Sequence, residues 1–333
     1  VRDDYRLCTE SELTTFVRDV LTTLGVRAAD AATVADVLVA ADLRGIEAQG
    51  VARLVPDCVE RLRGGTVDPL AEIGVTHETA TSIAFDAGNG LGYPAAKHAM
   101  SAVLQKAQSA GVAFATVRNS NAFGIAGYYA MLALERDMIG IASTTAPAAV
   151  APTYGSEALF GANPLAYALP ALEEPAFVLD FATTEISHAK LGGPANAPAG
   201  PLAPLGGFGV DNGGHKGYGL GILVEIMCAL LGGAFRDDAS AAAVAAGSGA
   251  ISHFFGAIRI DGFRDVIAFK SDVDRELRAF KQSQPAPGFE RIYVAGELEH
   301  ERTLAHRATG IPIHPRVWSA LQSLAADLHL RLL

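Results

Sequence analysis

His215 and Lys216 stand side by side in the run Gly206-Gly207-Phe208-Gly209-Val210-Asp211-Asn212-Gly213-Gly214-His215-Lys216-Gly217-Tyr218-Gly219, just before an apolar helix. Glycine lets a backbone come close to an anion, and a helix start offers unpaired N–H groups and a partial positive charge. The ammonium of Lys216 adds a full charge. Two readings stand: a corner that holds phosphate, or a glycine-rich turn with a solvated Lys.

A second chemical candidate is Asp180. It follows Phe177-Val178-Leu179, a run that reads as a buried strand, so it falls at a strand end. Burial would raise its proton affinity and make it a proton carrier. The alternative is a carboxylate that satisfies backbone donors in a turn. Gly88-Asn89-Gly90-Leu91-Gly92 has the wrong third-glycine spacing for a Rossmann fingerprint, and no acidic residue follows a second strand as that fold requires. It reads as a tight turn.

The elements that must position these groups are legible in part. Thr9 and Glu12 have the spacing of a capping box, and Leu13, Phe16, Val17, Val20 and Leu21 follow at helical spacing. Further helices are expected over about 28–43 and 51–63, the latter stopping at Gly64-Gly65. Strands are expected at 73–75, 82–86, 112–117, 139–143, 177–179, 257–260 and 291–294. Helices between or after them are expected at 94–110, 125–136, 218–231, 273–282 and 314–333. The stretch 191–204 is rich in Gly, Pro and Ala and reads as a loop; 239–249 is low-complexity Ala, Ser and Gly.

The 333 residues suffice for two domains with cores of their own, and half of them are hydrophobic against 19% charged. A net charge of −10 argues against nonspecific nucleic-acid binding. No apolar run is long enough to span a bilayer, and Val1-Arg2-Asp3-Asp4 has no signal-peptide pattern. Cys8, Cys58 and Cys228 form neither a metal spacing nor a disulfide framework, so a reducing cytoplasm fits.

Gly214-His215-Lys216-Gly217-Tyr218-Gly219-Leu220 resembles a signature of the malate/L-lactate dehydrogenase family, NAD(P)-dependent oxidoreductases unrelated to the Rossmann-fold lactate dehydrogenases. The resemblance runs through most of the chain. Asp42-Leu43-Arg44-Gly45-Ile46-Glu47-Ala48-Gln49-Gly50-Val51-Ala52-Arg53 matches the family's Asp-x-x-Gly-x-x-Ser-His-Gly-x-x-Arg, with Ala48 for Ser and Gln49 for the His that moves the proton. Gln donates a hydrogen bond but delivers no proton near neutral pH. Arg53 matches the position that pairs with a substrate carboxylate.

Asn119-Ser120-Asn121-Ala122-Phe123-Gly124 resembles a cofactor segment whose His is here Ala122. Gly161-Ala162-Asn163-Pro164 resembles Gly-Thr-Asn-Pro, Asp180-Phe181-Ala182-Thr183-Thr184 resembles Asp-x-Ala-Thr-Ser, and Ala295-Gly296-Glu297 resembles a Pro-Gly-Glu cofactor loop. After Lys190 the chain is shorter than the family pattern. His188, eight residues past Asp180, is a candidate for the proton that the missing His would supply; the alternative is a surface or capping residue. The remaining histidines have no motif around them.

The resemblance implies an α+β fold: a helical domain from both termini, residues 1–72 plus 300–333, and a mixed α/β cofactor- and substrate-binding domain, residues 73–299. It implies a homodimer and NADH or NADPH as cofactor. Ser120, Phe123, Gly124, Thr183, His215, Lys216, Gly217, Gly296 and Glu297 are then expected at the cofactor, and Gln49, Arg53, Asp180 and His188 at the reacting centre. Losing the usual acid disfavours alcohol–ketone chemistry, whereas an iminium ion already carries its proton. The expected function is a reductase of an imine, iminium or activated carbonyl in a small, carboxylate-bearing molecule, a chemistry compatible with specialised biosynthesis. The alternatives are a non-redox enzyme (cyclisation, elimination or isomerisation) on the same scaffold, and a non-catalytic binding homologue.

Overall fold

A computed structural model describes residues 4–185, 200–234 and 251–331. The capping box forms as the sequence predicts: the Glu12 N–H donates to Thr9 Oγ1 at 3.2 Å, and the Thr9 N–H donates to Glu12 Oε2 at 2.7 Å. It starts helix α1 (Glu10–Thr23), whose five predicted apolar positions are all buried. Helix α2 (Ala28–Leu43) is hydrophobic nearly all round, because it runs through the interior. Its C-terminal end therefore delivers Asp42 and Arg44 to the inside of the molecule. The chain then winds through two 3₁₀ turns (Glu47–Gln49 and Val51–Arg53), a π-helical turn (Leu54–Val59) and α3 (Glu60–Arg63).

The main sheet has seven strands: β2 (Gly74–Glu78), β3 (Ser82–Asp86), β4 (Val112–Ser120), β5 (Met138–Thr144), β6 (Leu165–Leu169), β7 (Phe177–Phe181) and β8 (Ile251–Arg259). Their spatial order is β2-β3-β4-β8-β5-β6-β7. Only β3 and β4 run parallel, joined through α4 (Gly92–Ala110); every other pair in this sheet is antiparallel. β8 is the central strand, buried for most of its length, and pairs with β4 on one side and β5 on the other. Short helices α5 (Ala126–Met131) and α6 (Gly214–Glu225), then α7 (Val266–Gln282), α8 (Glu297–Thr309) and α9 (Pro315–Asp327), complete the described residues. A separate ribbon pairs β1 (Arg6–Cys8) with β9 (Ile311–Ile313) and ties the two ends of the chain together.

The α+β class expected from the sequence is what forms. One buried cluster runs from Leu13 and Leu324 through Val37 to Met100, Val117 and Ala142. It crosses the line drawn at residue 72. The strand expected at 291–294 is irregular backbone, held by the Val294 N–H donating to Glu297 Oε2 at 3.2 Å. β6 and α8 were not anticipated. Leu-Ala-Tyr-Ala-Leu is weak in β-branched residues. α8 buries no residue fully, so it carries no apolar stripe to detect. The helix expected at 218–231 begins at Gly214, which puts His215 and Lys216 in its first turn rather than in the loop before it.

Candidate active site

Asp42 organises the turn that follows α2. It is 3% exposed, and its Oδ2 accepts the Val51 N–H at 2.7 Å. Gly50 lies flat on its carboxyl: a Cβ there would stand 1.8 Å from Asp42 Oδ1. The loop from 45 to 53 is thus folded round one buried carboxyl group. Burial, reinforced by Glu47 and opposed by the Val51 N–H, pushes Asp42 up to about 8. Gln49 sits in the first 3₁₀ turn, partly buried.

Arg53 projects from the second 3₁₀ turn and meets Asp57 four residues on. Its Nε donates to Asp57 Oδ2 at 2.8 Å and its Nη2 to Oδ1 at 2.5 Å. A guanidinium has five N–H donors, so this fork fixes one edge of Arg53 and leaves it further donors. Its side chain is one-third exposed (33%) while that of Asp57 is 10% exposed. Burial works against the charge on Arg53, and Asp57 overrides it. The ring of Tyr93 lies beside this pair and against Gly124, whose φ is +82°.

Asp180 falls on β7 as expected, and its Oδ2 accepts the Gly127 N–H at 2.7 Å from the start of α5. A Cβ on Gly127 would lie 2.8 Å from that oxygen, so glycine lets the carboxyl come close to the backbone there. Arg44 and Glu299 act on the carboxyl through their charges. Burial raises Asp180 to about 6; the Gly127 N–H and Arg44 act downward and Glu299 acts upward. Neither Arg44 nor Glu299 stood out in the sequence.

The segment 119–124 differs from expectation in what its side chains do. Ser120 is fully buried, with Oγ 2.8 Å from His253 Nε2. His253 Nδ1 lies 2.8 Å from Thr144 Oγ1, which itself donates to the Thr145 carbonyl at 2.9 Å. Thr144 having spent its proton, His253 must donate through Nδ1 and accept from Ser120 through Nε2. Burial holds His253 neutral, down to about 3. Phe123 is 2% exposed and stacks on His253 with ring centroids 4.7 Å apart. The side chains of Ser120 and Phe123, expected at the cofactor, are therefore core supports with almost no surface to offer. Gly124 alone of the three is partly exposed.

The glycines of 214–221 also serve packing. Gly214, Gly217 and Gly221 share one face of α6. A Cβ on Gly214 would stand 1.9 Å from the Gly207 carbonyl oxygen, and one on Gly217 2.3 Å from that of Leu205. A Cβ on Gly221 would lie 2.4 Å from the Phe160 ring and 3.3 Å from Thr183 Oγ1. Gly217 is thus buried against protein and not open to a ligand. Fully buried Asn163 clamps the same helix, donating from Nδ2 to the Gly221 carbonyl and to Glu225 Oε1, both at 3.0 Å. The opposite face presents His215 and Lys216, both exposed. Thr183, fully buried, donates to the Ala162 carbonyl at 3.1 Å and links this corner to Asp180, three residues earlier.

Gly296 (φ +89°) is buried against Val178 of β7. Glu297 is engaged by Lys281 at 3.3 Å and by the Val294 N–H. Both hold the start of α8 on the sheet. His188 lies outside the described residues. Asp57 was within reach of sequence reasoning, since Arg and Asp four apart on a helical run share a face. His253 carried no such signal.

A dinucleotide needs cationic donors at its phosphates. The first turn of α6 holds an exposed ammonium and an imidazole at the positive end of a 12-residue helix, with no acidic residue in that turn. That donor set fits a pyrophosphate. The malate/L-lactate dehydrogenase family model matches residues 8–193 and 192–322, two pieces that meet within the stretch that reads as shortened. A malate dehydrogenase of Pyrococcus abyssi is 36% identical, over 98% of this chain and 96% of its own. A ureidoglycolate dehydrogenase (NAD(+)) of Escherichia coli is 28% identical over 90% of each. The solved malate dehydrogenase of Pyrococcus horikoshii superposes with a TM-score of 0.93 at 36% identity, covering 100% of this chain and 98% of that one. A Δ1-piperideine-2-carboxylate reductase of Pseudomonas syringae superposes with a TM-score of 0.80 at 25% identity, covering 96% and 100%. The chain belongs to the malate/L-lactate dehydrogenase family and is an oxidoreductase of that family.

Proposed function

We propose that this enzyme is an NAD(P)H-dependent reductase of a small carboxylate-bearing imine, iminium or activated carbonyl, with Asp180 as its proton carrier. The observation that carries the reading is the carboxyl of Asp180, held on β7 by the Gly127 N–H at 2.7 Å, in a chain with Gln49 where the resembled family has its His; burial, which raises its proton affinity, supports it. A carboxyl group poised there can hold a proton at mildly acidic to neutral pH and release it to a developing amide or alkoxide. The carboxylate left behind is received by the Gly127 N–H and by the charge of Arg44. Arg53, held edge-on by Asp57, uses its remaining donors on the substrate carboxylate. Gln49 donates a hydrogen bond to the substrate nitrogen or oxygen, and His188 is a second candidate for the proton.

His215 and Lys216 hold the cofactor phosphates, and the turn at Gly124 is a further cofactor contact. The bound dihydronicotinamide supplies the hydride. An iminium substrate accepts it without any enzyme acid, whereas a neutral imine or a ketone draws on Asp180. The Δ1-piperideine-2-carboxylate reductase among the structural neighbours supports an imino acid as substrate class. A cytoplasmic homodimer is part of the same proposal.

The test is a fluorescence titration with NADH and NADPH, followed by turnover assays on cyclic imino acids and 2-oxo acids. Saturable binding of either cofactor and faster turnover of the imino acids is the expected result. Faster turnover of 2-oxo acids such as oxaloacetate would overturn the substrate class. Binding of neither cofactor would overturn the whole reading.

A further inference from the structure

We infer that Asp57 is the positioning residue of Arg53 and sets the charge of the substrate: it leaves one fork of the guanidinium open and makes the site select a monocarboxylate over a dicarboxylate. The inference rests on the reading of Arg53 as the group that binds the substrate carboxylate. It goes beyond that reading by naming how many negative charges the substrate carries.

A guanidinium offers a carboxylate two forks, one through Nε and Nη2 and one through Nη1 and Nη2. Asp57 takes the first with both of its oxygens, at 2.8 Å and 2.5 Å. The second fork keeps one N–H on each terminal nitrogen and has no protein partner among the described residues. Asp57 is fixed by the fold and not by its partner. It lies on the π-helical turn Leu54–Val59, which Leu54, Cys58 and Val59 anchor in the interior. The carboxylate is nearly covered while the guanidinium is one-third exposed, so most of the open surface of the pair belongs to Arg53. A ligand that reaches the pair therefore meets the second fork, in an orientation that Asp57 has already chosen.

The charge balance sets the selectivity. Arg53 and Asp57 together carry no net charge, so a substrate carboxylate on the second fork is held by directed hydrogen bonds and not by an unspent cation. A second carboxylate on the same substrate meets the Asp57 charge with nothing from this pair to offset it. The motif positions that the family resemblance puts at the substrate add no cation: Ala48, Gln49 and Ala162 are uncharged. Gln49 stands where a His could have become one. Like charges repel more strongly in a partly buried site than in water. A monoanion feels that repulsion once and a dianion twice, so the monocarboxylate is favoured.

The experiment compares two acids of equal chain length, 2-oxovalerate and 2-oxoglutarate, which differ by a terminal methyl against a carboxylate. Each is titrated calorimetrically into enzyme saturated with oxidised cofactor, where no hydride can be transferred. The wild type is expected to bind 2-oxovalerate about tenfold more tightly. Asp57→Asn keeps the shape and removes the charge, and should shift the ratio toward 2-oxoglutarate by about three- to tenfold. The ratio is the readout because a merely structural loosening of Arg53 weakens both acids alike. Asp57→Glu keeps the charge and should keep the wild-type ratio. A wild-type preference for 2-oxoglutarate, or a ratio unmoved in Asp57→Asn, would overturn the inference. Should Asp57→Asn fail to fold, Asp57→Ser decides in the same way. Arg53→Gln separates the two levels, and should weaken both acids by about tenfold or more. Two unchanged affinities there would remove Arg53 from the substrate site and the inference with it. A loss in Arg53→Gln with no change of ratio in Asp57→Asn overturns the inference alone.

Discussion

The two halves of the candidate site use charge in opposite ways. Around Asp42, Arg53 and Asp180, ionisable groups are drawn into the fold, and each is tied to a named backbone or side-chain partner. At α6 the polar pair His215–Lys216 stays exposed, and it is the glycines that are drawn in. Burial changes proton affinity, which is what proton transfer needs. Exposure keeps donors free for a large anionic ligand, and the glycine face supplies the rigidity that the exposed face lacks. On the proposed reading, reactivity and binding are thus separated by which side of the backbone faces the interior.

That contrast can be broken at several points. The largest effect is expected from Asp180→Asn, which should lower kcat on an imine or ketone by about 10²–10⁴-fold with cofactor binding unchanged; stopped-flow turnover and a cofactor titration together measure it. An equal loss of cofactor affinity would mean that the two halves are one unit. Next, Gly217→Ala should destabilise the protein by about 1–3 kcal/mol, because its Cβ would press on the Leu205 carbonyl. Thermal unfolding checks this, and a neutral outcome would show that α6 is not docked on its glycine face.

Lys216→Ala should weaken NADH or NADPH binding by about tenfold at low salt, less at high salt, with the melting temperature unchanged. Affinity that does not change would remove Lys216 from the phosphate site. Asp42→Asn sharpens the other half through pH. The folded chain keeps the Asp42 proton up to about 8, whereas the unfolded chain releases it near about 4. Between those values the folded state binds more protons, so wild-type stability contributed by this group falls as pH rises. Urea midpoints measured from pH 5 to 9 should fall less steeply in Asp42→Asn. The smallest effect belongs to Gly219→Ala, on the open face of α6, where a Cβ meets nothing within 4 Å. It should gain up to about 1 kcal/mol of stability from helix propensity alone.

The sequence made α1 readable from its capping box and apolar face and α2 from its Ala- and Val-rich run, whereas of the helix expected at 51–63 only Glu60–Arg63, ahead of the double glycine, is α-helical, after a 3₁₀ and a π-helical turn. It made Asp180 readable as a strand-end carboxyl. It misled at the glycines of α6, since glycine for ligand approach and glycine for helix packing look alike until the helix start is known. Gly214 rather than Tyr218 as the first helical residue turns the run over, putting Gly217 inside and Lys216 outside. Ser120 and Phe123 were hidden for a different reason: their partner, His253, is more than a hundred residues away and carries no local pattern. Arg44 and Glu299 feel each other's charge because α2 packs against α8, a matter of tertiary placement that no spacing records.

The position of β8 has a consequence for how the molecule is made. Among the described residues, the sheet joins β2-β3-β4 to β5-β6-β7 through β8, a strand that ends at Arg259. As the chain leaves the ribosome, two apolar strand edges, at β4 and β5, must wait for more than a hundred further residues before their shared neighbour arrives. Such edges are templates for pairing with the wrong partner. Until residue 259 has emerged the two edges lack their shared neighbour, and the late central strand gives the sheet contacts of long sequence separation, which slow folding.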